Sequence, residues 1–266
     1  MKLQDKTFLV TGAGGGIGGE LVLSLLSRGA RVAAVDLRDE PLAALATKAN
    51  VGDRLSLHAL DITDKDAVST LPDAVASAHG AIDGVINCAG IVQPFIKVND
   101  LDYEDIERVM NVNFYGLLHM TKTFLPHLLE RPEASLINFS SMGGFLPVPG
   151  QTVYGASKAA VKLLTEGIYA ELLDTSVHVS IVFPGATSTD ITKNSGVAAP
   201  SVSDEKAKSF PMLSAHEAAE IVVRGIESDK PQIFTGNDSK FMNRLYRLNA
   251  VYATKFIAKK MKSLLG

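Results

Sequence analysis

The sequence predicts an α/β protein whose open, mainly parallel sheet is covered by helices on both faces. Three observations carry that expectation. Short apolar runs alternate along the chain with longer segments of helical period. The runs are almost continuously apolar, as strands buried on both faces must be. The first run also ends in a glycine cluster that opens the first helical segment, the layout of a βαβ unit.

A chain of 266 residues can bury one core of this kind. With 46% hydrophobic and 21% charged residues it has the composition of a soluble globular protein. Its single cysteine excludes an intrachain disulfide framework and a cysteine-rich metal site. The six histidines (His58, His79, His119, His127, His178 and His216) show no metal-ligand spacing, so no metal is expected. A net charge of −3 gives no reason to expect nucleic acid. The first residues hold no apolar signal core, and no run reaches the roughly 18 apolar residues of a membrane span. A reducing, cytoplasmic setting is the expectation.

The elements follow in order. Thr7 to Val10 is a strand that ends in Thr11-Gly12-Ala13-Gly14-Gly15-Gly16-Ile17-Gly18. Ile17, Leu21, Val22, Leu25 and Leu26 then recur at helical spacing. Strand, glycine turn and helix together suit a pyrophosphate: the backbone can approach closely, and the helix N-terminus offers N–H groups and a positive dipole end. Arg31 to Asp36 is the next strand. Asp36, at its C-terminal end and 24 residues after Gly12, can accept hydrogen bonds from both hydroxyls of an adenosine ribose and would repel a 2′-phosphate. That favours NAD over NADP. Arg38 could favour a phosphate, but the glycine loop itself carries no basic residue.

Glu40 to Asn50 reads as a helix with Asp39 as a candidate cap, and Arg54 to Ala59 as a third strand leading into Asp61-Ile62. Thr63 or Asp64 caps the next helix, which Pro72 is expected to interrupt. Asp83 to Asn87 is a fourth strand, broken at Cys88-Ala89-Gly90. Leu101 to Phe124 reads as one long helix, unusual in holding Asn113 and Gly116, and is ended by Pro126 and the turn at 130–133. A buried Asn such as Asn113 ordinarily satisfies backbone groups. Ser135 to Phe139 is a fifth strand, running into Ser140-Ser141-Met142-Gly143-Gly144.

Val153-Tyr154-Gly155-Ala156-Ser157-Lys158 then opens a helix towards Leu173. It places a tyrosine and a lysine on one face, a turn apart. An ammonium beside a phenol favours the phenolate, and a tyrosine so tuned can take a proton from an alcohol. Val177 to Phe183 is a sixth strand, followed by Pro184-Gly185. Residues 190–212, with Pro200 and Pro211, read as irregular. Ser214 caps a helix through Ile226, and Gln232 to Phe234 is a last short strand.

In type, order and spacing these motifs resemble the short-chain dehydrogenase/reductase family, in its single-domain branch of about 250 residues. The resemblance covers roughly residues 5–236. It rests on Thr11-Gly12-x-x-x-Gly16-Ile17-Gly18, Asp61, Asn87-Cys88-Ala89-Gly90, Asn113-x-x-Gly116, Ser141, Tyr154-x-x-x-Lys158 and Pro184-Gly185-x-x-x-Thr189. Ser141 precedes Tyr154 by 13 residues, and Ser140 is the structural neighbour. The resemblance implies a three-layer Rossmann-type, doubly wound fold with seven strands. Residues 1–237 would form one dinucleotide-binding and catalytic domain, with a substrate loop at about 190–212.

The same resemblance implies the roles. Tyr154 is the general acid/base. Lys158 lowers its pKa and holds the nicotinamide ribose, Ser141 hydrogen-bonds the substrate oxygen, and Asn113 fixes a water in a proton relay. Gly12, Gly16, Ile17 and Gly18 line the pyrophosphate. Asp61 and Ile62 meet the adenine, and Asn87 and Gly90 the adenosine-side ribose region. Pro184, Thr187 and Thr189 lie at the nicotinamide, with Thr189 on its carboxamide. A homodimer or homotetramer is implied as well. Cys88 and Thr187 depart from the family's usual residues at their positions.

The expected activity is NAD-dependent interconversion of a secondary alcohol and a ketone. A 3-oxoacyl thioester reductase would sit better with NADP and a basic glycine loop. A catalytically silent dinucleotide sensor would be expected to lose one of Asn113, Ser141, Tyr154 and Lys158, and all four are present. Gln93, Pro94, Phe95, Met142, Phe145, Leu146 and Val148 are expected to line the substrate pocket. They are mostly apolar, which suits a lipophilic steroid-, retinoid- or long-chain-like compound.

Charge is uneven along the chain. Residues 238–266 hold seven basic residues (Lys240, Arg244, Arg247, Lys255, Lys259, Lys260 and Lys262) and one acid, Asp238, a charge of +6 that leaves −9 on residues 1–237. Phe241, Leu245, Leu248, Tyr252 and Phe256 form an apolar stripe beside them. This basic amphipathic extension is expected to pack on the body or on another subunit; peripheral contact with an anionic membrane, or a lid over the pocket, is the alternative.

Overall fold

A computed structural model describes residues 1–198 and 212–261. Its main sheet has seven strands: β1 (Thr7–Thr11), β2 (Arg31–Asp36), β3 (Leu55–Ala59), β4 (Gly84–Asn87), β5 (Ala134–Phe139), β6 (Val177–Pro184) and β9 (Gln232–Thr235). The spatial order is β3-β2-β1-β4-β5-β6-β9, and every pairing is parallel. β1, β4 and β5 are buried along their whole length, whereas edge strand β3 is half-exposed. That difference explains why the central strands carry no charged or histidine side chain while β3 carries His58.

The chain moves one way from β1 through β2 to β3, then returns to the other side of β1 as β4. The segments after β1 and β4 therefore diverge, leaving a crevice at the C-terminal edge of the sheet. On one face lie α1 (Gly16–Ser27), α2 (Asp39–Ala49) and α8 (Ala215–Glu227), packed through Leu21, Leu25, Leu42, Val222 and Ile226. On the other lie α3 (Lys65–His79), α5 (Leu117–Leu129) and α6 (Thr152–Glu171), packed through Val68, Val75, Met120, Phe124 and Ile168. Strand burial on both faces is the main stabilising term, at about 25 cal/mol per Å² of apolar surface removed from water.

Several local expectations are corrected. Pro72 does not interrupt α3; it sits inside the helix, buried beside Leu71 and Val75. One lost backbone bond is outweighed there by packing and by the Asp64 cap, which accepts from the amides of Asp66 and Ala67. Pro126 likewise lies within α5, which runs on to Leu129 because Leu128 is fully buried. Asp39 does not cap α2 but opens it, with Arg38 at the cap position; Asp39 and Glu40 lie in the first turn, where negative charge suits the dipole. Leu101 to Phe124 is not one helix. It divides into α4 (Tyr103–Met110), a wide π turn at Asn111–Gly116, and α5.

Segment 190–212 opens with a short helix, α7 (Ile191–Asn194), and is bracketed by two-residue strands β7 (Thr187–Ser188) and β8 (Leu213–Ser214), which pair. Pro200, Pro211 and Lys262 lie outside the described residues. Ser214 forms a capping box with Glu217 at the start of α8. The extension forms α9 (Asn237–Leu248) and α10 (Ala250–Lys260), separated at Asn249. Met242 and Ala253 are buried in a third cluster with Phe145, Leu146, Ile181 and Phe183.

Candidate active site

The crevice holds a cavity of about 570 Å³. Its floor at one end is the turn after β1. Gly12 has φ +70°, and a Cβ there would lie 2.9 Å from the Ala89 backbone. A Cβ on Gly18 would run into the Gly12 carbonyl, so only glycine lets α1 start this close to β1. Thr11 ties the turns after β1 and β4 together, its hydroxyl accepting from the amides of Cys88 and Ala89, each at 3.1 Å. Among the described residues no side chain caps α1, and its N-terminus faces the cavity. An uncapped helix start with glycines that leave space beside it fits a pyrophosphate.

Asp36, at the end of β2, accepts a hydrogen bond from the Gly14 amide at 2.8 Å. Its carboxylate is thereby fixed at the cavity's outer end, beside Arg38 and Pro41. Asp61 and Ile62 line the same end; the Asp61 carboxylate is oriented by the amide and hydroxyl of Thr63, both at 2.8 Å.

At the inner end Ser141, Tyr154 and Lys158 converge. Ser141 follows β5 in extended conformation and accepts from the Gly143 amide at 3.0 Å. A Cβ placed on Gly143 would lie 3.4 Å from the Tyr154 ring and 3.5 Å from the Ser141 hydroxyl, which locates both side chains around that turn. Ser140 instead donates to the Lys158 carbonyl at 2.7 Å, a structural bond. A Cβ on Gly90 would lie 3.0 Å from Lys158 Nζ and 3.2 Å from Asn113 Oδ1. Asn113 is fully buried. It accepts from the Ile91 amide at 2.9 Å and donates to the Ile91 carbonyl and to the Ser157 hydroxyl, each at 3.0 Å. The π turn carries this side chain to the β4 loop, and such turns concentrate at functional sites. The turn ends at Gly116, where a Cβ would lie 2.7 Å from the Ile62 side chain.

Burial raises the Tyr154 phenol above its ordinary pKa, with the Ser141 hydroxyl pulling the other way. Burial also lowers Lys158, to about 8. Its ammonium donates to the Phe139 carbonyl at 3.0 Å, and burial governs Tyr154. Burial pushes the Cys88 thiol up to about 12, so it stays protonated although it lines the cavity.

Of the residues expected to hold cofactor, Gly12, Gly16, Ile17, Gly18, Asp36, Asp61, Ile62, Gly90, Tyr154, Lys158, Pro184, Thr187 and Thr189 line this one cavity, as does Ser141. Asn87 does not. Its amide donates to Asn138 Oδ1 at 2.9 Å and to Thr121 at 3.3 Å, inside the sheet. Asn113 lies behind Gly90 and Ile91 rather than on the wall.

The substrate lining also differs from expectation. Gln93 and Leu146 are fully buried, and Phe145 belongs to the third apolar cluster. Gln93 holds the start of α6: its Oε1 accepts from the amides of Val153 and Tyr154, and its Nε2 donates to the Gly150 carbonyl. The walls of the inner end include Ile91 and Val92, which the sequence reading missed, together with Ile191 and Asn194 from the expected substrate loop. The Asn-x-Ala-Gly turn and the fold of α7 are what bring them there.

A nucleotide-sized crevice at the switch point of a doubly wound sheet, with a serine, a tyrosine and a lysine at its inner end, defines a dinucleotide-binding oxidoreductase. The chain belongs to the short-chain dehydrogenase/reductase family: residues 6–199 match the short chain dehydrogenase family. It is 33% identical over 252 residues to SadH of Mycobacterium tuberculosis, named as an oxidoreductase, covering 92% of this chain and 91% of that one. It is 35% identical over 243 residues to 1-deoxy-11-beta-hydroxypentalenate dehydrogenase of Streptomyces avermitilis, covering 90% and 88%. A short-chain dehydrogenase/reductase of Burkholderia phymatum, solved with NAD, superposes with a TM-score of 0.85 at 25% identity over 95% of this chain and 96% of that one. One of Burkholderia cenocepacia, solved with NADP, superposes with a TM-score of 0.81 at 27% identity over 97% and 99%. A nicotinamide dinucleotide is thus the cofactor class. No helix among the described residues is long and apolar enough to cross a membrane, and none of them form a cluster of three or more metal-ligating acidic, His or Cys side chains.

Proposed function

We propose that the protein is an NAD-dependent dehydrogenase/reductase that interconverts a lipophilic secondary alcohol and its ketone. The observation that carries this reading is the convergence of Ser141, Tyr154 and Lys158, with Asn113 behind them, at the inner end of a cavity whose outer end holds Asp36. A nicotinamide held here would supply the hydride chemistry at the carbinol carbon. The protein's part is the proton. Ser141 holds the substrate oxygen, and Tyr154 takes the hydroxyl proton as hydride leaves, or gives it back in reduction. Lys158 holds the ribose and carries the positive charge that offsets the effect of burial on the phenol. Asn113 keeps the Gly90–Ile91 turn against Lys158 and supports a water on the relay to solvent. Asp36 receives the adenosine ribose hydroxyls and disfavours a 2′-phosphate.

The apolar inner wall, with Ile91, Val92 and Ile191, supports a lipophilic substrate. The related hydroxypentalenate dehydrogenase is named for oxidation of a hydroxyl compound, which supports CH–OH chemistry. The test is a panel of steroids, retinoids, long-chain alcohols and polyols followed by NADH absorbance, with NAD and NADP in parallel. Turnover of polyols alone, or a preference for NADP, would contradict the corresponding part of the proposal.

Two partner readings belong with it. Tyr103, Tyr115, Leu163 and Tyr169 stand exposed on α4, the π turn and α6, which supports a homodimer or homotetramer through these helices. Phe241, Leu248, Val251 and Tyr252 stand exposed among Lys240, Arg244, Arg247 and Lys255, with Leu248 85% accessible. That outward face supports peripheral contact with an anionic membrane; of the apolar stripe only Leu245 and Phe256 pack inward, beside Tyr246 and Ile257, whereas Phe241, Leu248 and Tyr252 face out. Co-sedimentation with phosphatidylserine vesicles should fall when Leu248 and Val251 are both changed to Asp; unchanged sedimentation would remove the membrane reading.

A further inference from the structure

The basic extension is more than an attachment, because its first turn reaches the end of β6. Asp238 Oδ2 accepts a hydrogen bond from the Ala186 amide at 2.8 Å. The carboxylate fills the space beside Gly185 and Gly236, where a Cβ on either glycine would run into it. One residue on, the fully buried Ser239 hydroxyl donates to the Phe183 carbonyl at 3.0 Å. From the strand before α9, the Thr235 carbonyl accepts from the Gly185 amide at 2.9 Å. Three points of residues 183–186, at Phe183, Gly185 and Ala186, are thus held by residues 235–239. Thr187 then donates its hydroxyl to the Gly185 carbonyl at 3.1 Å, extending the held segment towards Thr189. Pro184, Gly185, Thr187 and Thr189 all line the cavity.

We infer that Asp238 and Ser239 are positioning residues for the nicotinamide half of the cofactor: the first turn of α9 sets where Pro184 to Thr189 stands. The inference rests on the proposed assignment of Thr187 and Thr189 to the nicotinamide. Its physical basis is direct. A carboxylate in the first turn of a helix would ordinarily satisfy that helix's own amides and complement its dipole. Here it is spent on the amide of a neighbouring loop, and a charge-assisted bond of this kind is roughly twice as strong as a neutral one. Gly185 makes room for the carboxylate, which ties the Pro-Gly turn and the acid at position 238 into one unit.

The experiment compares binding of NAD and of ADP-ribose, which lacks the nicotinamide, by calorimetric titration of the full chain. Asp238→Ala should weaken NAD by about tenfold or more, the loss of one charged hydrogen bond, and leave ADP-ribose within about twofold. Ser239→Ala should show the same pattern with a smaller loss. Asp238→Asn, which keeps the shape and an acceptor, should fall between wild type and Asp238→Ala, and it carries the test if the alanine variant does not fold. Equal weakening of NAD and ADP-ribose would make these residues ordinary structural ones and overturn the inference, as would unchanged NAD binding. Wild-type protein that binds ADP-ribose as tightly as NAD would show that no nicotinamide contact exists, and the inference would fall together with that assignment.

Discussion

Gln93 caps the helix that carries Tyr154. Its side-chain oxygen accepts from the Tyr154 amide at 2.9 Å and from the Val153 amide at 2.8 Å. The residue at the helix start, Gln151, makes no side-chain cap of its own but donates to the Gln93 carbonyl at 2.9 Å. The phenol's position is therefore set by a loop that follows β4, on the other side of the site.

Replacing Gln93 by Met keeps its bulk and removes the acceptor. Two first-turn amides lose their partner, at a cost of about 1–3 kcal/mol. Turnover should fall about tenfold while NADH binding, read by fluorescence, stays within about twofold. Gln93→Glu restores the acceptor but sets an oxygen against the Gly150 carbonyl, so it should recover only part of the turnover. Equal losses in turnover and NADH binding would show a general defect instead.

Cofactor choice depends on Asp36. Its carboxylate is fixed by the Gly14 amide, so a 2′-phosphate would face a charge that cannot turn away. Asp36→Ala should reduce the ratio of kcat/KM for NAD over NADP by at least about tenfold, since like charges in contact cost several kcal/mol. An unchanged ratio would move discrimination to Arg38.

Acid stability has a source away from the site. Ser56 Oγ lies 2.8 Å from His58 Nε2 and 2.9 Å from His79 Nε2. Burial lowers the pKa of both rings below 6.5. As pH falls below about 6.5 the unfolded chain takes up protons that the folded one does not, so stability declines until the folded pKa values are passed. The melting temperature should drop between about pH 7 and about pH 5, and the drop should shrink in His58→Gln.

A second linkage acts lower on the scale. Arg28 and Glu220 join α1 to α8 at 2.9 Å, and the pair, with Ser24, holds the Glu220 carboxyl at about 2. A depressed carboxylate contributes stability above its unfolded pKa, near 4.5, and loses it as pH falls towards 2. Both side chains are about a quarter exposed, so Glu220→Gln should cost only about 1 kcal/mol at neutral pH. That corresponds to a melting temperature lower by about 2–4 °C.

Much of this was legible in the sequence for a physical reason. The strands are buried on both faces, so their composition is unambiguous, and the loops after β1, β4, β5 and β6 carry residues whose chemistry is tied to a fixed spacing. What remained hidden depends on side-chain direction and on contacts distant in sequence. Gln93 and a pocket residue look alike in a list of letters; only the fold shows that it faces the α6 amides. Asn87 is the last residue of a strand that ends at the site, yet its side chain joins Asn138 on the neighbouring strand. Pro72 and Pro126 are helix breakers by local preference, and buried neighbours override them. The π turn left only an indirect trace, an Asn and a Gly in an apolar helix.

The most direct measurement is turnover by Tyr154→Phe with the best alcohol from the substrate panel, alongside NADH binding. Removing one hydroxyl leaves the ring, the helix and the cavity in place. The account predicts that NADH binding stays within about twofold and that turnover falls by at least the 10²–10⁴-fold typical of a lost general acid/base. Turnover that survives the change would contradict the assignment of Tyr154 and with it the proposed reaction.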